Sequence, residues 1–182
     1  MPELSPQFAI LRGKTAPQLI VEHAREDATG IAFRAKHRGL YRARSWRDYA
    51  NLVGRAATGL ASIGVQRGDR VAIMGDASED WAICDMAVQA LGAISFGIYP
   101  TASVSEVEYQ MNDAGASVFI AQNQEYVDKI LAGVERLPEL RSIVVIDASA
   151  TYGYTHAKLM RFDDILAGAG DQIGRASCRE RV

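Results

Sequence analysis

From Arg70 to Ile146 the chain repeats one pattern, and that pattern limits the folds open to it. A short apolar run without strict alternation is followed by a helical segment of about 10–15 residues, then by another such run. The runs are Arg70–Met74, Ala93–Tyr99, Ser117–Ala121 and Arg141–Ile146. Strands that do not alternate are buried on both faces, and helices between them act as crossovers. The expectation is a layered α/β fold, a mainly parallel sheet with flanking helices. The punctuation agrees. Ser78 opens a helix bearing Trp81, Cys84, Val88 and Leu91 that stops at Gly92. Ser103 and Glu106 form a capping box for a helix that ends before Gly115, and Gln124–Arg136 reads as the next helix. Phe162–Leu166 begins one more.

Upstream the signals are more local. Thr15 precedes a helix with Pro17 in its first turn and an apolar stripe of Leu19, Ile20, His23 and Ala24. Ile31–Lys36 and Leu40–Arg44 flank His37-Arg38-Gly39 as a short hairpin. Ser45-Trp46-Arg47-Asp48 is a capping box with Asp in the Glu/Gln place. The helix it opens carries Trp46, Tyr49, Val53, Ala56, Ala57, Leu60 and Ile63 on one face, and Gly64 terminates it.

The final segment, Ile173 to Val182, has no apolar periodicity and resembles the in-frame translation of a common sequencing-library adapter. It is set aside from fold reasoning. Without its three arginines and one glutamate the formal charge moves from −2 to −4, and Cys178 is lost. The organisation expected is a lead-in over 1–14, one partial domain over 15–172 and an artefactual tail over 173–182, the chain being a fragment of a longer protein. Mild acidity argues against a dedicated nucleic-acid binder. Two cysteines provide neither a zinc site nor a disulfide framework, so a reducing cytoplasm is the expected compartment. Met1–Thr15 holds no apolar run of signal-peptide length. The apolar stretch Trp81–Tyr99 contains Asp85, Gln89 and Gly92, so it reads as a buried helix followed by a strand and not as a membrane span.

Taken one residue at a time, the chemistry is sparse. Gly13-Lys14-Thr15 resembles the end of a phosphate loop, yet Phe8 stands where the pattern requires another glycine, and Thr15 as a helix cap accounts for the triplet. No G-x-G-x-x-G follows a strand. His23, His37 and His156 lie far apart, away from metal-ligand spacing, with His23 expected in the core or at its boundary. Cys84 shares a helical face with Trp81 and Val88 and reads as a small buried hydrophobe. Glu79-Asp80 and Asp163-Asp164 suit the first turns of helices. Arg34, Lys36, Arg38, Arg42, Arg44, Arg47 and Arg55 make the hairpin region basic, which reads as a solvated strand face.

The order of the segments says more. Ser45-Trp46-Arg47-Asp48-Tyr49-Ala50 with Ala57-Thr58-Gly59-Leu60 resembles the first core motif of adenylate-forming (AMP-binding) enzymes. Arg67-Gly68-Asp69-Arg70-Val71-Ala72-Ile73 resembles the family's entry into its first parallel strand. Gln89-Ala90-Leu91-Gly92-Ala93-Ile94, running to Gly97-Ile98-Tyr99-Pro100, is similar to the second core motif. Arg38-Gly39-Leu40 and Tyr99-Pro100-Thr101 look most like bacterial long-chain acyl-CoA synthetases.

The resemblance implies part of the large N-terminal domain of a two-step ligase. ATP and a carboxylic acid give an acyl-adenylate, and the thiol of coenzyme A displaces AMP. Adenylation matters because a carboxylate repels nucleophiles and has no workable leaving group. Cationic and backbone-amide stabilisation of phosphoryl charge, with Mg²⁺, does the rest. The family's phosphate loop, magnesium-binding glutamate, ribose-binding aspartate and C-terminal lysine have no counterpart between Met1 and Gln172. No catalytic, cofactor-binding or metal-binding residue is therefore carried over. The fragment itself is expected to be inactive and marginally stable. ATP, Mg²⁺, coenzyme A and a small carboxylic acid belong to the parent, and neither nucleic acid nor a transmembrane segment is expected. A complete non-catalytic α/β binding module and an adenylation domain loading a carrier protein remain as alternatives.

Overall fold

The computed structural model describes residues 13–168 except Arg38; for His37 it describes the backbone alone. Most of the lead-in and all of Ile173–Val182, with Cys178, lie outside the described residues. The chain divides into two compact units, Met1–Asn51 and Leu52–Val182.

In the first unit, α1 (Ala16–Glu26) starts at Thr15, whose hydroxyl accepts from the Gln18 amide while the Gln18 side chain accepts from the Thr15 amide. Lys14 pairs with Glu22 at 2.7 Å, so the Gly13-Lys14-Thr15 triplet serves to cap and brace this helix. The apolar stripe is narrower than its sequence suggests. Pro17 and Ile20 are buried, whereas His23 is exposed at its edge and stacks on Trp46 with ring centroids 4.4 Å apart. The strands β1 (Ile31–His37) and β2 (Leu40–Ser45) pair antiparallel, as the hairpin signal predicts. Phe33 meets Tyr49 edge-on. The helix α2 (Trp46–Ser62) is opened by Ser45 and Asp48, which exchange backbone hydrogen bonds of 3.1 Å each. The Ser45 hydroxyl and amide hold the Asp48 carboxyl below the usual carboxylate range.

The second unit is built on a parallel sheet of β3 (Arg70–Met74), β4 (Ile94–Ile98), β5 (Val118–Ala121), β6 (Ser142–Val145) and β7 (Leu159–Arg161), in the order β4-β3-β5-β6-β7. β3 has the bounds its sequence predicts. β4 and β6 are one residue shorter at each end than their apolar runs, and β5 starts one residue later. β7 has no sequence signal, because three residues beside a loop show no apolar run. Between the strands lie α3 (Glu79–Ala90), α4 (Val104–Ala114) and α5 (Gln124–Gly133). The last is shorter than expected, since Val134–Arg136 tightens into a 3₁₀ turn. Residues 162–168 are helical, as the Phe162–Leu166 signal suggests.

Register sorts the side chains. On one face Ala72, Met74, Phe96, Ile98, Phe119, Ala121, Ile143 and Val145 meet Val107 and Met111 of α4 and Val127 and Ile130 of α5. On the other face Ser95 and Gly97 meet α3. Full burial of each large apolar side chain contributes about 1.5–3 kcal/mol. At the amino ends of the strands Arg70 donates to the carbonyls of Ala114 and Gly115, at 2.8 and 2.6 Å, and so closes the C-terminus of α4, where Gly115 adopts φ +58. Cys84 is fully buried, and burial pushes its thiol pKa far up, as suits a packing residue.

Two glycines of α2 give a controlled test of this packing. A Cβ at Gly59 would lie 2.8 Å from the Ile165 carbonyl oxygen, whereas one at Gly54 would meet open space. Gly59→Ala is therefore expected to lower stability by about 1–3 kcal/mol. Gly54→Ala is expected to raise it by about 0.5–1 kcal/mol. Urea unfolding of both variants checks the pair.

Candidate functional site

The connections place a cleft at the carboxyl ends of β3 and β4. Crossovers between parallel strands are right-handed. The chain leaves β3, crosses by α3 to β4 on one side, then returns past β3 by α4 to β5 on the other. Helices that follow neighbouring strands thus fall on opposite faces of the sheet, which is where open α/β sheets hold ligands. The cleft there measures about 430 Å³ and lies between Gly75-Asp76-Ala77 and Gly97-Ile98-Tyr99-Pro100, with Trp81 as its wall.

Each lining group has a local reason for its position. Ser78 accepts from the Trp81 amide at 3.2 Å and starts α3 directly after the β3 turn, so Trp81 comes back over the strand ends. Gly97 makes room for it, since a Cβ there would stand 3.3 Å from the indole. A glycine inside a strand commonly marks such an approach, and Gly97 is the sequence signal for it. Helical spacing alone puts Trp81 on the apolar face of Cys84 and gives no hint of the cleft.

Gln122 fixes the other side. Its side-chain oxygen accepts from the Asp76 amide at 2.6 Å, its amide donates to Met74 O at 2.9 Å, and its carbonyl accepts from Asp147 N at 2.8 Å. The loops after β3, β5 and β6 are thereby tied together. Lys129 donates to Pro100 O at 2.7 Å and secures the loop after β4. Tyr126 is 4% exposed, and burial chiefly, with the charges of Asp76 and Glu125, raises its phenol pKa. Tyr154 donates to Asp128 at 2.6 Å and is raised by that bond.

Chemically, the cleft is an apolar wall of Trp81, Ile98, Tyr99 and Pro100 with one carboxylate, Asp76. Among the described residues no Lys or Arg lines it, and no group of three or more His, Cys, Asp or Glu side chains could hold a metal ion. By itself this set does not fit a nucleoside triphosphate with Mg²⁺, whose charge calls for cations or convergent amides. The sequence residues weighed individually are not brought together here. His23 sits on α1, His156 accepts from the Lys158 amide in a loop, and Cys84 is inside. No described helix is long and apolar enough to cross a membrane.

A mainly parallel sheet with this crossover order and a cleft at its reversal point defines a ligand-binding α/β scaffold. Residues 21–165 match the model of the AMP-binding enzyme family, and the chain belongs to that family. It is 32% identical over 142 residues to the long-chain-fatty-acid–CoA ligase FadD15 of Mycobacterium bovis, a match covering 78% of this chain and 24% of that protein. Against the long-chain-fatty-acid–CoA ligase ACSBG2 of Xenopus laevis the identity is 28%, over 71% of this chain and 18% of the relative. Among solved structures, the anthranilate CoA ligase AuaEII in complex with anthranoyl-AMP superposes with a TM-score of 0.71 at 26% identity, covering 85% of this chain and 27% of that one. The chain thus spans about a quarter or less of the length of these two ligases.

The Gln122 tie carries a specific expectation. A Cβ at Gly75 would stand 2.6 Å from Gln122 Cβ, so Gly75→Ala is expected to cost about 1–3 kcal/mol. Gln122→Ala leaves that Cβ in place and should not relieve the clash, whereas Gln122→Gly should relieve most of it. A double-mutant cycle by urea unfolding separates the two cases.

Proposed function

We propose that this chain is the N-terminal part of the large domain of an AMP-forming carboxylic acid–CoA ligase that acts through an acyl-adenylate, with a long-chain fatty acid as substrate. The observation that carries the reading is the family match over residues 21–165, joined to relatives named as long-chain-fatty-acid–CoA ligases. A structural neighbour of the same fold that holds an acyl-adenylate, anthranoyl-AMP, supports the adenylate route. ATP, Mg²⁺ and coenzyme A are then co-reactants of the full-length parent in the cytoplasm. The residues described here supply neither a cationic cradle nor a metal cluster for them.

The part played by this chain follows from its own groups. The β3–β4 cleft offers Trp81, Ile98, Tyr99 and Pro100 as a wall that excludes water beside an apolar ligand group. The Gln122 and Lys129 bonds hold that wall in place before any ligand arrives. Excluding water preserves an activated acyl group that hydrolysis would otherwise consume. Groups that stabilise phosphoryl charge come from chain beyond Gln172, and the 182-residue chain alone is inactive. β4 is one of the two edge strands of the sheet, with Ile94 more than half exposed, a surface that further chain would cover.

The test compares the 182-residue chain with the protein encoded when the genomic frame is extended past Gln172. The extended protein is expected to exchange pyrophosphate into ATP only with a long-chain acid and then to consume coenzyme A, while the short chain stays silent. Exchange by the short chain would refute its inactivity. Acid-dependent exchange without coenzyme A use would indicate delivery to a carrier protein.

A further inference from the structure

The two edges of the parallel sheet are finished differently. β7 is three residues long and ends in Arg161, which is exposed. β4 is five residues long, and from Ala90 to Ser105 the sequence holds no Asp, Glu, Lys, Arg or His. Its pairing with β3 runs without a bulge, and Pro100 lies beyond its last residue. Charge, proline, bulges and shortness are the devices by which edge strands resist an added strand, and β4 shows none of them. The backbone says which groups are open. The Ile94 amide donates to Asp69 O at 2.8 Å, so by the alternation of a parallel ladder Ile94, Phe96 and Ile98 turn their amides and carbonyls to β3. Ser95 and Gly97 turn theirs away from the sheet, and among the described residues these outward groups meet no partner. Ile94 and Gly97 are exposed.

We propose that a second copy of the 182-residue chain pairs with β4, antiparallel, about a two-fold axis at Phe96. The outward groups fit their own copy in that register. Ser95 lies opposite Gly97 of the second copy and the two exchange N–H···O bonds, which the symmetry repeats on the other side of the axis. Phe96 then faces Phe96 of the second copy, and Ile94 faces Ile98, at the close spacing of non-hydrogen-bonded pairs. A slip of one residue would set outward groups against inward ones. Phe96 and Ile98 belong to the face packed on α4 and α5, so the apolar layer continues across the axis. No like charges meet within the paired strands. Asp85, beside β4 on the α3 face, already accepts from Ser95 Oγ and Gln89 Nε2. Pairing of β4 with β7 of the next copy would extend the sheet without closing it, and the short, arginine-bearing β7 opposes that arrangement. A five-residue strand pair is a small interface, so the dimer is weak and depends on concentration. The proposal concerns the 182-residue chain and does not rest on the catalytic reading. In a longer parent the same edge falls to further chain.

Sedimentation equilibrium of the 182-residue chain over a concentration series tests it, and a reversible monomer–dimer equilibrium with nothing larger is expected. Ser95→Pro removes an outward N–H from each copy while sparing the β3 ladder, and should weaken the dimer roughly tenfold or more. Ile94→Lys places a cation on the exposed end of the strand and should weaken it by roughly tenfold as well. Ser95→Ala loses only the hydroxyl and should dimerise as the parent does. Circular dichroism reports whether the variants keep the fold; should Ser95→Pro lose it, Ile94→Lys decides. Amide hydrogen exchange read by NMR reports the register independently. Exchange at Ser95 and Gly97 should slow several-fold as concentration rises, while the Phe96 amide, turned to β3, stays protected throughout. The proposal is overturned if the chain is monomeric at every concentration or if species larger than the dimer form. It is equally overturned if the folded edge variants dimerise as the parent does, or if Ser95 and Gly97 exchange as fast at high concentration as at low.

Discussion

Everything in the second unit depends on β3 being paired on both sides and covered on both faces. Val71, Ala72, Ile73 and Met74 are at most 1% exposed, with β4 on one edge and β5 on the other. A strand so enclosed leaves no backbone amide or carbonyl for water, so its ladder must be complete. It also forbids alternation in the sequence, because neither face is free to be polar. Removing it would separate β4 from β5, and the cleft would lose one of its two rims.

The cleft follows from the same enclosure. Since β3 sits between its two successors, the chain has to pass over both faces, and the turns that leave β3 and β4 diverge. Side chains then decide what the gap is for. Gly97 admits Trp81, Gln122 holds the Asp76 backbone, and Lys129 holds Pro100. The result is an apolar wall with little charge. The chain that builds this wall aligns with about a quarter of the length of FadD15 and 18% of ACSBG2.

Much of this is legible in sequence because it is written in local chemistry. Thr15, Ser78 and Ser103 cap the helices they precede, and Gly64 and Gly115 take the positive φ expected of helix ends. The parallel sheet can be read from Arg70–Met74 and its three successors, and the segment order carries the family. What escapes is tertiary. β7 becomes a strand only because β6 offers it a partner. The 3₁₀ turn at Val134–Arg136 accompanies the Arg136–Glu108 ion pair, a contact between positions distant in sequence. His23 lies on an apolar helical stripe, yet it is exposed and stacks on Trp46 at the edge of that stripe. The cleft itself requires knowing that Gly97 and Trp81 face each other, which spacing alone does not reveal.

Native-state hydrogen exchange of the full chain tests the central role of β3 most directly. Amides of Val71–Met74 are expected to exchange only through global unfolding, together with those of Val118–Ala121, while the amides of the β1–β2 hairpin exchange by smaller openings at lower free energy. Exchange of the β3 amides as early as those of the hairpin would contradict the account.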